Sequence, residues 1–348
     1  MYLSERPRPG SADPATPAGS PGHGAAHPLR GRVASTVVLL GVVSLFTDIS
    51  SESLSAVLPL YLTAVLGLSP LAYGFIDGLY QGVSALVRIL GGWLSDRADR
   101  PKWVAFVGYG LSALTKIALI PLHGFAAVTA VITIDRLGKG IRTAPRDAMI
   151  AASTPEHALG RAFGVHRALD TAGAAIGPLV AFAILFLVPG DYTSVFVASF
   201  AAAMIGLAVL ALVVPDVRPR REAASQPIPP STAPSTPRAT PSVRTMVRSG
   251  MGRLVAATAL LSILAISDGF LYLSLQQRDD LAATWFPLLF VGTNVAYVAL
   301  AIPFGRLSDR IGRSTVLVGG HLLLVGAYLC TAGPVGGLAM TLLTLFLL

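Results

Sequence analysis

A succession of long apolar runs constrains this chain more than any other feature of it. Nine complete runs lie at residues 35–64, 71–95, 103–123, 126–150, 160–188, 192–214, 253–275, 283–305 and 314–332. Each is close to the ~20 residues needed to cross a hydrocarbon core of about 30 Å. A tenth run opens near Gly336 and is still apolar at Leu348, so the chain is expected to stop inside a tenth span. The competing explanation, an oversized soluble core, fails on composition. Charged residues make up 13% of the chain, against roughly 25% in a soluble domain, and the mean hydropathy is +0.67. The expected fold class is an all-α integral membrane protein of about ten spans.

The net charge of +8 invites a nucleic-acid reading, which the distribution of charge excludes. Arg6, Arg8, Arg30 and Arg32 precede the first run, Arg97, Arg100 and Lys102 follow the second, and seven Arg from Arg218 to Arg253 follow the sixth. Arg306, Arg310 and Arg313 close the eighth. The intervening connections at 65–70, 124–125, 189–191 and 333–335 hold no Lys or Arg, and the one near 276–282 holds Arg278 beside Asp279 and Asp280. Such alternation is the positive-inside pattern, and it predicts a multi-pass protein of the plasma membrane with its N-terminus in the cytoplasm. Residues 1–34 are rich in Pro, Gly and Ala and are expected to form a disordered cytoplasmic tail. They are not a signal peptide, because the first apolar run is too long for an h-region. The single cysteine, Cys330, allows no internal disulfide.

Eight prolines between Pro215 and Pro241, mixed with Ser, Thr, Ala and Arg, mark a flexible linker over 215–252. It divides a six-span half (35–214) from a partial second half (253–348). The halves repeat each other. Gly92-Trp93-Leu94-Ser95-Asp96-Arg97 ends the second span of the first, and Gly305-Arg306-Leu307-Ser308-Asp309-Arg310 ends the second span of the other. Asp48 and Asp268 each place a carboxylate inside an opening span. Repeated halves about a midplane site are the architecture of many secondary transporters.

From residue 35 onward the sequence resembles the major facilitator superfamily, whose loop signature reads G-x-x-x-D-R/K-x-G-R-R/K. Gly92, Asp96, Arg97 and Arg100 match it, as do Gly305, Asp309, Arg310, Gly312 and Arg313. The copies depart from it at Asp99, which stands in place of Gly, and at Ser314, which replaces the last basic residue. The resemblance implies that these residues form gating loops. Arg136-x-x-x-Gly140 resembles the family's fourth-span motif, which implies proton transfer or charge compensation. Gly173, Gly177 and Pro178 resemble its G-x-x-x-G-P motif, associated with proton-driven antiporters. The plainer reading of those glycines is close helix packing, and of Arg142 and Arg146, snorkelling to the aqueous face.

The resemblance also implies that the first, fourth, seventh and tenth spans line a central cavity, where Asp48, Glu52, Asp135, Arg136 and Asp268 would converge. Desolvation disfavours a carboxylate anion, which suits such groups to proton pick-up and release. A salt bridge of Asp135 or Glu52 with Arg136 is the structural alternative. His166, Arg167 and Asp170 are expected to pair between helices, while Asp77, Arg88 and Lys116 carry no assignment. No HExxH, Cys/His ligand set or GxSxG occurs, so neither an enzyme nor a bound metal or cofactor is expected. The expected function is secondary active transport of a small molecule by alternating access, as a monomer in the lipid bilayer, with protons driving efflux and no role for nucleic acid. An importer or symporter of the same fold, and a truncated remnant or sensor, are the alternatives.

Overall fold

The computed structural model describes residues 33–97, 100–217, 252, 260–261 and 265–348, with backbone alone at 81, 84–86, 88–97 and 313. Every regular element among the described residues is helical. In chain order these are α1 (Ser35–Ser55), α2 (Pro70–Arg97), α3 (Pro101–Ala118), α4 (Phe125–Ala152), α5 (Leu159–Leu187), α6 (Tyr192–Leu212), α7 (Asp268–Arg278), α8 (Phe286–Ile311), α9 (Arg313–Ala332) and α10 (Leu338–Leu347). They follow the apolar runs in order. Among the described residues five segments are long and apolar enough by themselves to cross a membrane, and α4 is not one of them. It is 28 residues long, but Asp135, Arg136, Lys139, Arg142, Arg146 and Asp147 dilute its apolar character. Most of the expected linker and tail, and residues 253–259 of the seventh run, lie outside the described residues.

Two of the expected spans are broken. The first continues past Ser55 as a turn at Leu58–Leu60 and a π-helical stretch at Tyr61–Val65. Pro59 removes a backbone donor at that point, which disfavours an uninterrupted α-helix. The seventh was expected as one helix over 253–275. Instead residues 265–267 are non-helical and α7 starts anew at Asp268. Backbone polar groups cannot stay unpaired in an apolar setting. Here Tyr328 of α9 meets the break: its hydroxyl accepts from the Ile266 N–H at 2.8 Å and donates to the Ile266 carbonyl at 3.4 Å.

α1 lies against α5 and α6, α4 against α2 and α3, and α3 against α6. Apolar side chains gather in two clusters. One includes Leu54, Leu62, Ile76, Leu185, Phe196, Tyr272 and Phe286, and the other Val37, Leu40, Tyr109, Met149 and Leu210. Helix ends are tied by side chains. Asp191 accepts from the Ser194 N–H at 3.1 Å and caps α6, and its bonds to Ser194 hold its carboxyl below the usual range. Lys102, read from sequence as a topology signal, is buried: it donates to the carbonyls of Ala211 at 2.9 Å and Val214 at 2.7 Å, closing the far end of α6.

α8, α9 and α10 pack on one another, and α8 also meets α5, where Phe182 and Trp285 stack at 5.4 Å. Much of α8 and α9 leaves apolar side chains uncovered, among them Val295, Val298, Ile302, Leu322 and Leu329. In a multi-pass membrane protein such a surface suits lipid or further helices.

Candidate functional site

Glu52 and Ser55 of α1, Tyr73, Asp77 and Tyr80 of α2, and Arg136 and Lys139 of α4 face residues of the second half across a cavity of about 880 Å³. The opposing wall is Ser267, Asp268, Phe270 and Tyr272 of the seventh span and Phe290, Thr293 and Asn294 of α8. The two halves meet beside the cavity where Tyr73 and Phe270 pack edge to face at 4.8 Å. The cavity therefore carries the bases Arg136 and Lys139 together with the acids Glu52, Asp77 and Asp268, set among aromatic rings.

Arg136 owes its position to a buried triad. Asp135 is 4% exposed and binds Lys116 of α3, 1% exposed, and Arg136, 2% exposed, through its two oxygens. Ser112 donates to the same carboxylate at 2.6 Å and Thr115 at 3.1 Å. The Arg136 guanidinium lies 3.7 Å from the centre of the Tyr80 ring, and the Tyr80 hydroxyl is 3.0 Å from that of Ser55 on α1. A cation stacked on a desolvated ring gains about 2 kcal/mol. One acid between two bases leaves a net positive charge, which Arg136 presents to the cavity.

Of the residues expected to converge, Glu52, Arg136 and Asp268 line the cavity, and Asp135 and Asp48 do not. Asp135 is turned into the α3–α4 interface by Lys116. Asp48 lies one helical turn before Glu52 and stands beside Asp170 of α5, with Lys139 and Arg142 close enough to act on its charge. Arg136 is engaged with Asp135, Tyr80 and Glu52. The salt bridge of Asp135 with Arg136, offered by the sequence as the structural alternative, is therefore present, and Lys116 pins the same carboxylate through its other oxygen.

Gly173 and Gly177 turn their bare faces to α1. A Cβ on Gly173 would strike the Leu45 carbonyl, and one on Gly177 would sit 2.8 Å from the Glu52 Cβ and 2.9 Å from the Ile49 carbonyl oxygen. Pro178 is buried within α5 beside them, and Ser53 donates to the Gly177 carbonyl at 2.8 Å. Of the first loop signature, the backbone is helical from Gly92 through Arg97, the side chains of Asp96 and Arg97 lie outside the described residues, and Arg100 is exposed. Of the second, Gly305, Asp309 and Arg310 are exposed on the last turns of α8, and the Arg313 side chain lies outside the described residues. Gly312 joins α8 to α9 at φ 92°, a conformation that favours glycine. Among the described residues no group of three His, Cys, Asp or Glu side chains is placed to hold a metal ion.

Lys116, Asp77 and Tyr80 are the functional candidates that sequence reasoning left unassigned, and Asp170 was read from the sequence as an interhelical pairing residue. Lys116 and Asp77 did carry a signal, being isolated charges inside apolar runs. The ring of Tyr80 carried none.

The family model described as Major Facilitator Superfamily matches residues 40–348. The chain belongs to the major facilitator superfamily. An uncharacterized MFS-type transporter of Methanocaldococcus jannaschii is 31% identical over 291 residues, covering 80% of this chain and 67% of that protein. An uncharacterized protein of Mycobacterium tuberculosis is 31% identical over 160 residues, which is 45% of this chain and 38% of the other. Among solved structures, a mutant of the nucleoside transporter NupG superposes with a TM-score of 0.68 at 13% identity, covering 90% of this chain and 79% of that one. A mutant of the peptide transporter POT in complex with sulfate gives 0.64 at 17% identity, with the same two coverages of 90% and 79%. At such identities the superpositions speak for the fold. This major facilitator chain is therefore a multi-pass membrane protein with the fold of a secondary transporter, not of an enzyme.

Proposed function

We propose that this protein exports a small molecule by alternating access, driven by protons entering in exchange. The observation that carries the reading is the cavity between the halves, where Glu52, Asp77 and Asp268 stand beside Arg136 and Lys139. Carboxyl groups on both walls can gain or lose protons as the cavity changes its access, and a fixed guanidinium makes that exchange sensitive to a bound ligand. The direction of transport rests on the fourth- and fifth-span motifs, of which Gly140 lies close against Val87 of α2 and Gly173 and Gly177 lie close against α1. The Arg distribution orients the N-terminus and the 215–252 linker to the cytoplasm of a cell bounded by the plasma membrane. The protein acts as a monomer, and Asp96 and Asp309 act in gating.

The test is uptake from a compound panel into inverted membrane vesicles with an acid interior. A proton-driven exporter accumulates its substrate there and loses the accumulation when the gradient is collapsed. Accumulation only in right-side-out vesicles would make the protein an importer. Accumulation that survives collapse of the gradient would remove protons from the account.

A further inference from the structure

α1 and α5 face each other in two polar rungs one helical turn apart. In the first, Ser44 of α1 meets His166 of α5 at 3.4 Å. In the second, one turn further along both helices, the carboxyl groups of Asp48 and Asp170 stand within reach of a mutual hydrogen bond. Two carboxyl groups make that bond only when one of them carries a proton, since each is otherwise an acceptor alone. The rungs are possible because Gly173 and Gly177 bring the two backbones together just beyond them. His166 is 2% exposed, and its Nδ1 is buried without a partner.

The charges around the pair come chiefly from α4. Lys139 and Arg142 stand near Asp48. Arg146 lies 3.8 Å from the Asp170 carboxylate, 3.0 Å from that of Asp147, and donates to Ser44 at 3.1 Å. Arg167 on α5 pairs with Asp170 at 3.3 Å from an exposed position. On α1 the other ionisable group is Glu52, one turn away. α6, the third helix against α1, has no charged residue between Tyr192 and Leu212.

We propose that Asp48 and Asp170 together form a proton-holding site, in which one proton is shared between α1 and α5 and its release is answered by Arg146. This deepens the proton-coupled reading and rests on it for the site's purpose, while the existence of the site does not. On release, the O–H bond of the protonated carboxyl breaks, the proton leaves to water, and two carboxylates remain face to face. Arg146, which spends its closest contacts on Asp147 and Ser44, is within reach to swing onto Asp170. It follows Pro145, which is buried inside α4, where the missing backbone bond lets a helix bend. The same helix carries Arg136 and Lys139 into the cavity, so proton occupancy at α1–α5 is transmitted to the substrate wall through α4.

Infrared difference spectroscopy on the purified full chain in lipid, titrated through neutral pH, tests the site without a substrate. The wild type is expected to show a protonated-carboxyl stretch that disappears with rising pH and shifts in heavy water. Asp48→Asn and Asp170→Asn are each expected to abolish that band, since the remaining carboxylate is stabilised by its neighbouring cations. Asp170→Glu should retain it at a shifted midpoint. A band unchanged in both Asn variants, or no titrating carboxyl in the wild type, would overturn the proposal; the wild-type measurement decides even where a variant fails to fold. A site that passes this test while vesicle uptake shows no proton dependence stands as a proton site and leaves the export reading as the part that failed.

Discussion

In α1–α6 several charged groups are buried between helices; in α7–α10 the described ones sit at helix ends. Lys116, Asp135, Arg136 and Arg142 are each under 5% exposed, and Asp48, Arg146 and Asp170 join them between α1, α4 and α5. In the second half, Asp268 opens α7, Arg278 and Asp279 close it, and Arg306, Asp309 and Arg310 occupy the end of α8. A charge held mid-helix in an apolar surround must be paired to be tolerated, so it fixes the geometry of everything near it. Of the helix-end charges in the second half, those on α8 are exposed, while Asp279 ties α7 to α10. The first half is therefore built as a rigid electrostatic frame, and the second as a wall that closes against it through Tyr73, Phe270 and Asp268.

The largest effect that could break this comparison is on the frame itself. Asp135→Ala leaves Lys116 and Arg136 buried without their shared anion and is expected to cost about 3–5 kcal/mol. Thermal denaturation in detergent should show a lower midpoint and a poor yield of folded protein. A variant as stable as wild type would mean that water already reaches the triad. Next is the α1–α5 contact: Gly177→Val overpacks against Glu52 and Ile49 and should cost about 1–3 kcal/mol by the same measurement.

A smaller effect compares the two gating copies. Asp96→Asn and Asp309→Asn should each slow transport about tenfold at matched expression. A loss confined to Asp96→Asn would make the second copy an anchor only. Smaller still, Gly319→Ala on α9, where a Cβ meets nothing within 4 Å, should stabilise by roughly 0.5–1 kcal/mol, the opposite sign to Gly177→Val.

The smallest effect concerns pH. Asp279 binds Arg278 at 3.0 Å and also accepts from the Gly337 N–H at 2.9 Å and from Thr341, linking α7 to α10. The Arg278 hydrogen bond holds its carboxyl well below the usual range. A folded pKa that is depressed gives stability above the unfolded value of about 3.9, lost as pH falls towards the folded one. Hydrogen-exchange protection at α10, taken relative to the intrinsic rate at each pH, should thus be constant from neutral to mildly acidic conditions and fall only in strong acid.

How much of this was legible depends on the range of the interaction. The order of the helices follows the apolar runs because span length is set by the bilayer. The family was visible in Gly305, Asp309 and Gly312, since a helix end with a turn at positive φ leaves a local trace. The break before Asp268 left none, because Tyr328, which meets its backbone, is 62 residues away. Arg136 was singled out from the sequence and lines the cavity, and its salt bridge with Asp135 was among the readings the sequence offered; Lys116 and Tyr80, which meet that pair from two other helices, were not. Asp48 was placed in the cavity by analogy of span number. The actual facing was set by Gly173 and Gly177, whose role in aligning α5 with α1 appears only once the helices are packed.

The most direct test of the central claim is made in vesicles carrying reconstituted full-length protein, an imposed pH gradient and a substrate found by the panel. Wild type should concentrate the compound against its gradient. Asp48→Asn should bind the compound and exchange it passively, but bring it only to equal concentrations on both sides. If Asp48→Asn still concentrates substrate as the wild type does, the carboxyl between α1 and α5 is structural, and protons are coupled elsewhere or not at all.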